Sequence, residues 1–201
     1  MDLIRKSGVR RVATALLAAG SLSVGLAAQS NAPGVRFTAT AMDMDRGTTT
    51  QLQIVVDRWS SQAQRAKLLD ALAKKGPEKL LDTLQDQPKV GYIRSSTSLG
   101  WDLRYAYEEP GEDGGERVVL VTDRPIAFWE TANDARTLDY PFTVIEIRMP
   151  HEGDGQGMLS VAAKITRDKK GDITLENWGT QPIRLTQVHA EEKSVGTSGN
   201  R

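Results

Sequence analysis

From Val35 the chain alternates apolar and polar positions, with Val35, Phe37, Ala39 and Ala41 on one parity. After a polar turn around Asp45-Arg46-Gly47 the alternation resumes at Leu52, Ile54 and Val56. A period of two on both sides of a short turn predicts a β-hairpin with one buried face. The period then changes. Ser60 and Ser61 are helix-capping residues, and Leu68, Leu69 and Leu72 recur at helical spacing. Gly76-Pro77 predicts the end of this helix and the start of another, because Gly suits the position past a helix end and Pro the first position of the next. The second helix carries Leu80, Leu81 and Leu84 and stops near Pro88. Lys67, Lys74, Lys75 and Lys79 lie between the leucines and read as a solvated face.

Beyond residue 88 the pattern returns to strands, with candidates at 89–95, 99–108, 116–123, 141–149, 157–167, 171–178 and 182–189. Glycine-rich turns separate them at 110–115, 153–155 and 169–172. The spacers are too short for crossover helices, so neighbouring strands are expected to pair antiparallel. The fold class predicted is mainly β (α+β): an antiparallel barrel or two-sheet sandwich of about nine strands, with one helical pair inserted after the second. Sequence does not choose between barrel and sandwich. No composition break or repeat divides 29–190, which reads as a single domain, and the charged, then Ser- and Gly-rich tail 191–201 is expected to be disordered.

Residues 1–28 have a different character. Arg5, Lys6, Arg10 and Arg11 precede an uncharged run from Val12 to Ala28 that closes on small residues. This is the three-part pattern of a secretory signal peptide, with cleavage expected after Ala28 and a periplasmic or secreted destination. The run is shorter than a spanning helix requires and is interrupted by Gly20, Ser21, Ser23 and Gly25. The general secretory route fits better than the twin-arginine route, because Val9 precedes the arginine pair and Ala13-Thr14 follow it. The chain holds 26 basic and 26 acidic residues; the leader takes four basic and one acidic, leaving 22 against 25 and a net charge of −3. Such a balance gives no reason to expect nucleic acid or an anionic membrane as partner. No second apolar run is long enough to cross a bilayer. With no cysteine, thiol nucleophiles, thiolate zinc sites, disulfides and lipid attachment at a cleavage-site cysteine are excluded.

Strong catalytic motifs are missing. There is no phosphate-cradling glycine loop, nucleophile elbow or paired-histidine zinc helix. His151 and His189 have no second histidine at ligand spacing, and Asp154, Asp168 and Asp172 read as turn residues, so no metal and no cofactor is expected. One region concentrates chemistry: Asp123, Arg124, Trp129 and Glu130 at the end of a predicted strand, with Arg94, Trp101, Arg104, Tyr105, Asp139 and Tyr140 similar in type. On a regular strand Trp101, Leu103 and Tyr105 share one face, and Asp102, Arg104 and Ala106 the other. Arg104 with Asp123 or Asp139 would suit a buried ion pair. The same ten residues also suit a pocket with an aromatic wall and arginine donors. Glu146 alternates with Ile145 and Ile147, and belongs either on the outer face or beside an arginine.

The segments GPEKLLDTLQ (76–85), GYIRSSTSLGWDLRYA (91–106), TDRPIAFWE (122–130), DYPFTVIEIR (139–148) and ITLENWGTQPIRL (173–185) resemble a family of small secreted bacterial proteins of the acidobacterial type. No activity is assigned to that family. The resemblance spans roughly 36–188 and implies export and a single domain, but it supplies no catalytic residue. The leading expectation is a non-catalytic exported domain that binds a small molecule or an envelope protein. A hydrolase of envelope polymers, using Asp123 with Glu130 or Asp139 as acid and base, is the enzymatic alternative. A structural or interaction protein is the third.

Overall fold

The computed structural model describes residues 34–111, 114–126, 140–167, 173–177 and 181–192. The expected leader, Trp129, Glu130 and Asp139 lie outside the described residues. In chain order the elements are β1 (Val35–Asp43), β2 (Thr48–Val56), α1 (Gln62–Gln85), β3 (Gly91–Ser95) and β4 (Trp101–Pro110). They continue with β5 (Glu116–Thr122), β6 (Phe142–Met149), β7 (Gly155–Arg167), β8 (Ile173–Asn177) and β9 (Ile183–Glu192). Last in order, β9 runs two residues into the expected tail, where Glu191 and Glu192 pair with Arg36 and Val35.

All pairings are antiparallel, in the order β6-β5-β4-β3-β2-β1-β9-β7, and a β6–β7 ladder closes the ring. The result is an eight-strand barrel rather than a sandwich. The ninth strand, β8, extends the wall. The thirteen-residue β7 makes this possible: its first half pairs with β9 through Gly155 to Leu159, and its second half with β8 through Ala163 to Arg167. An eight-strand barrel is just wide enough for side chains to fill it. Phe37, Ile54, Ile93, Leu120, Ile145 and Leu185 meet inside with their apolar neighbours, all at most 2% exposed.

Close approach between strands also constrains composition. At Gly91 a Cβ would overlap the Val55 carbonyl oxygen, so β3 could not lie this near β2 with any side chain there.

The helical pair forms as expected, with Ser61 as the cap. Its hydroxyl accepts from the Gln64 N–H at 3.2 Å, and the Gln64 side chain accepts from the Ser61 N–H at 2.8 Å. Ser60 has a different task. Its Oγ accepts from the buried Ala106 N–H at 3.1 Å, joining the arm to β4. Gly76, at φ 77° and ψ −168°, breaks α1 into two halves. A straight helix would separate Gln64 from Gln87 by about 34 Å. Instead, Gln64 Nε2 donates to Gln87 Oε1 at 3.2 Å, so the two halves fold back on each other.

The arm lies against the outside of the barrel. Leu68, Leu72, Leu80 and Leu84 are buried there against Tyr105, Val121, Phe142 and Ala163, a second core separate from the first. Burial of four leucines is worth on the order of 6–12 kcal/mol, as an upper bound.

The Gly76 conformation is one that only glycine adopts at low cost. Open space surrounds the position a Cβ would take, so Gly76→Ala tests the backbone alone. Its expected cost is about 1–3 kcal/mol, read from urea unfolding. Ser60→Ala strands the buried Ala106 N–H and is expected to cost about 1–3 kcal/mol in the same assay.

Candidate functional site

Strands β5 and β6 are apolar on both faces. In the run Val118-Val119-Leu120-Val121, Val118 and Leu120 enter the barrel core, while Val119 and Val121 face outward. On β6, Ile145 and Ile147 point in, and Phe142 and Val144 lie in the outer core. A sheet face this apolar needs a cover, which the α1 arm provides. The cover is incomplete. Between arm and barrel runs a cleft of about 170 Å³, roofed by Leu68, Leu69, Leu72, Leu80 and Leu84. Val119, Val121, Phe142 and Val144 make its floor, and Ile165, Ile173 and Leu175 extend it onto β7 and β8.

Charged and phenolic groups lie along this apolar space: Arg65, Tyr105, Tyr107, Glu109, Arg117 and Glu146. Arg117 is held from two sides. Its Nε and Nη2 each donate to a different oxygen of Glu146 at 3.2 Å, and Nη1 donates to Glu109. Arg148 adds a 3.0 Å hydrogen bond from Nε to Glu146 Oε1. Burial works against both charges. The Glu146 and Glu109 carboxylates nonetheless raise the Arg117 pKa, while Arg117 and Arg148 hold the Glu146 carboxyl below its ordinary value. Both groups are therefore fixed in their charged forms.

Arg65 differs. Its guanidinium lies 5.0 Å from the centre of the Tyr107 ring, and its charge acts on the neighbouring Tyr105 phenol. Tyr105 and Tyr107 stack with ring centres 6.1 Å apart. Burial pushes the Tyr105 phenol above its ordinary pKa, so it keeps its proton.

Seven of the ten sequence-proposed site residues are described, and of those seven only Tyr105 lines this cleft. The strand parity expected for it was wrong. A bulge at Arg104 shifts the register from Leu103↔Thr122 to Tyr105↔Val121 and inserts one residue into the alternation. Leu103 and Ala106 consequently both enter the barrel, and Tyr105 turns outward. Arg104 makes the expected ion pair with Asp123, Nε to Oδ2 at 3.2 Å, and Nη1 donates to the Gln87 carbonyl at 3.1 Å. It anchors the end of the helical arm.

Arg124 pairs with the other Asp123 oxygen at 3.5 Å. Arg94 is exposed on β3, bonded to Gln53 at 2.8 Å and set over the Tyr92 ring. Trp101 packs on the barrel core, and Tyr140 donates to Glu176 at 2.9 Å. Glu146 meets both conditions set for it: it faces outward and it is paired with arginine. Sequence reasoning missed Arg65, Glu109 and Arg117 as members of a site. The available signal was the unbroken apolar run 118–121, which demands burial on two sides and hence an outer cover.

Site and scaffold together define an antiparallel barrel that carries a partly covered apolar cleft on its outer face. Among the described residues no cluster of three metal-ligating side chains occurs, and no helix is long and apolar enough to cross a membrane. Comparison with protein-family models, curated proteins and solved structures finds no match to this chain.

Stability should respond to acid through Glu146. Its folded pKa lies below the unfolded value of about 4.3. The stability it contributes is therefore complete above that value and lost as pH falls through the folded pKa. Between about pH 5 and about pH 3 the Glu146→Gln variant should lose less unfolding free energy than the parent. An equal loss in both would show that Arg117 does not depress this carboxyl. Glu108 has the opposite sign: burial and the neighbouring Glu116 raise its pKa, so stability falls as pH rises through that value. Accordingly, Glu108→Gln is expected to raise the urea midpoint at neutral pH.

Proposed function

We propose that this protein is an exported, non-catalytic binding domain whose ligand is a small, largely apolar molecule held in the cleft between α1 and the outer barrel wall. The observation that carries the reading is the cleft itself. It is an apolar space of about 170 Å³ bordered by a few placed polar groups, the usual composition of a small-molecule site. An apolar cavity of about 150 Å³ takes up benzene, so a single ring or a short alkyl chain matches the room available. The barrel interior is packed with side chains, which moves the binding reading from the lumen to the outer wall.

Acid–base hydrolysis finds less support. Asp123 is committed to Arg104 and Arg124, and Glu109 and Glu146 are both clamped by Arg117. Glu146 is held below its ordinary pKa and so is not the protonated group that a general acid requires. For a role built on association alone, the large apolar residues exposed among the described residues give little basis: Met44, Leu99 and Met158 lie on a hairpin turn, a second turn and β7, and isolated exposures of this kind are ordinary.

Hexanol titrated into the protein and followed by calorimetry is expected to bind saturably at one site. Leu69→Trp fills the space beneath the roof and should abolish that binding while preserving the unfolding transition. Failure of hexanol to saturate, or retention of its binding in Leu69→Trp, would remove the cleft from consideration. Export has its own check: the secreted chain is expected to begin at Gln29, as read by intact mass spectrometry of the culture or periplasmic fraction.

A further inference from the structure

Charge around the cleft is unevenly committed, and this selects the ligand's polar end. Arg117 is saturated by Glu109 and Glu146, which are in turn occupied by it. A cationic ligand would have to displace a half-buried guanidinium from its bidentate carboxylate partner, an arrangement among the strongest side-chain interactions. Arg65 is placed otherwise. Among the described residues no carboxylate lies within ion-pair distance of it, and its guanidinium is set over the Tyr107 ring beside the Tyr105 phenol.

The two phenols add to this. Tyr107 Oη accepts from Gln62 Nε2 at 2.6 Å. Tyr107 thus uses a lone pair and retains its hydrogen for a further acceptor, and Tyr105, kept protonated by burial, has its hydrogen to offer as well. Arg65, Tyr105 and Tyr107 all line the apolar cleft. One guanidinium and two hydroxyl donors therefore converge beside a space that contains no other uncommitted charge among the described residues.

Resting on the cleft as the binding site, we propose that its ligand is a small amphiphilic anion: a short alkyl chain or single ring bearing one carboxylate-like group. The tail lies between the α1 leucines and the β5–β6 valines. The anionic group takes the Arg65 guanidinium together with the Tyr105 and Tyr107 hydroxyls. Arg65 then exchanges a cation–π contact, worth about 0.5–1 kcal/mol at an exposed site, for a stronger charge-assisted hydrogen bond.

The test compares hexanoate, hexanol and hexylamine on the full-length protein at neutral pH by calorimetry. Hexanoate is expected to bind at least about tenfold more tightly than hexanol, the return of one charged hydrogen bond in a partly dry site, and hexylamine more weakly than either. Arg65→Met should bring hexanoate down to the affinity of hexanol, and Arg65→Lys should restore part of the difference. Equal binding of hexanoate and hexanol by the parent protein overturns the anion assignment and leaves the cleft reading standing. Preference for hexylamine does the same and points to Glu109 and Glu146. Loss of all binding, hexanol included, removes both. Persistence of the hexanoate preference in Arg65→Met overturns the assignment to Arg65.

Discussion

The exterior of this molecule follows from one constraint: β5 and β6 are apolar on both faces, and a closed barrel can hide only one of them. Inward residues such as Leu120 and Ile145 are accommodated by closure of the ring. Outward residues such as Val121 and Phe142 are not, and they would face water without the arm inserted between β2 and β3. The Gly76 corner follows from this demand, because a straight helix of that length would overrun the apolar area. So does the seam at Ser60, which fixes where the arm leaves the barrel.

The polar border has a related origin. Arg117 and Glu146 occupy the same outward rows as the valines, and charge in that position is tolerable only when paired. The bidentate Arg117–Glu146 contact, with Glu109 alongside, marks the end of the apolar area without leaving a buried charge unmatched. Arg65 approaches from the arm and not from the sheet. Among the described residues no strand carboxylate lies within ion-pair distance of it, and its charge rests on the Tyr107 ring of β4. The different surroundings of these two arginines carry the chemical character assigned to the cleft.

Much of the architecture is visible in the residue pattern. Alternation at 35–41 and 52–56 and the leucine spacing around Gly76-Pro77 are local signals, and each marks an element that forms. Closure of the ring is not local. It depends on β7 pairing with β6, β8 and β9, which no spacing within β7 announces. The site was harder still to read. Tyr105 was selected for its type, but its direction depends on a bulge at Arg104 that has no counterpart in the residue pattern. Arg117 and Glu146 meet across 29 positions in sequence. Conversely, Arg104 and Asp123 look like pocket residues by type, and they serve to tie the end of the arm to the barrel.

The position of the arm in the chain separates two structural tasks. Every ladder that closes the barrel is formed by strands outside residues 62–85, so the roof contributes no backbone hydrogen bond to the ring beneath it. Substitutions along the arm can reshape the space under it while the ring keeps its register, and insertions at the Gly76 corner extend outward. The barrel is thus the platform and the arm a cover laid upon it: the shape of the space between them is set largely in one part of the chain, and closure of the ring in the other.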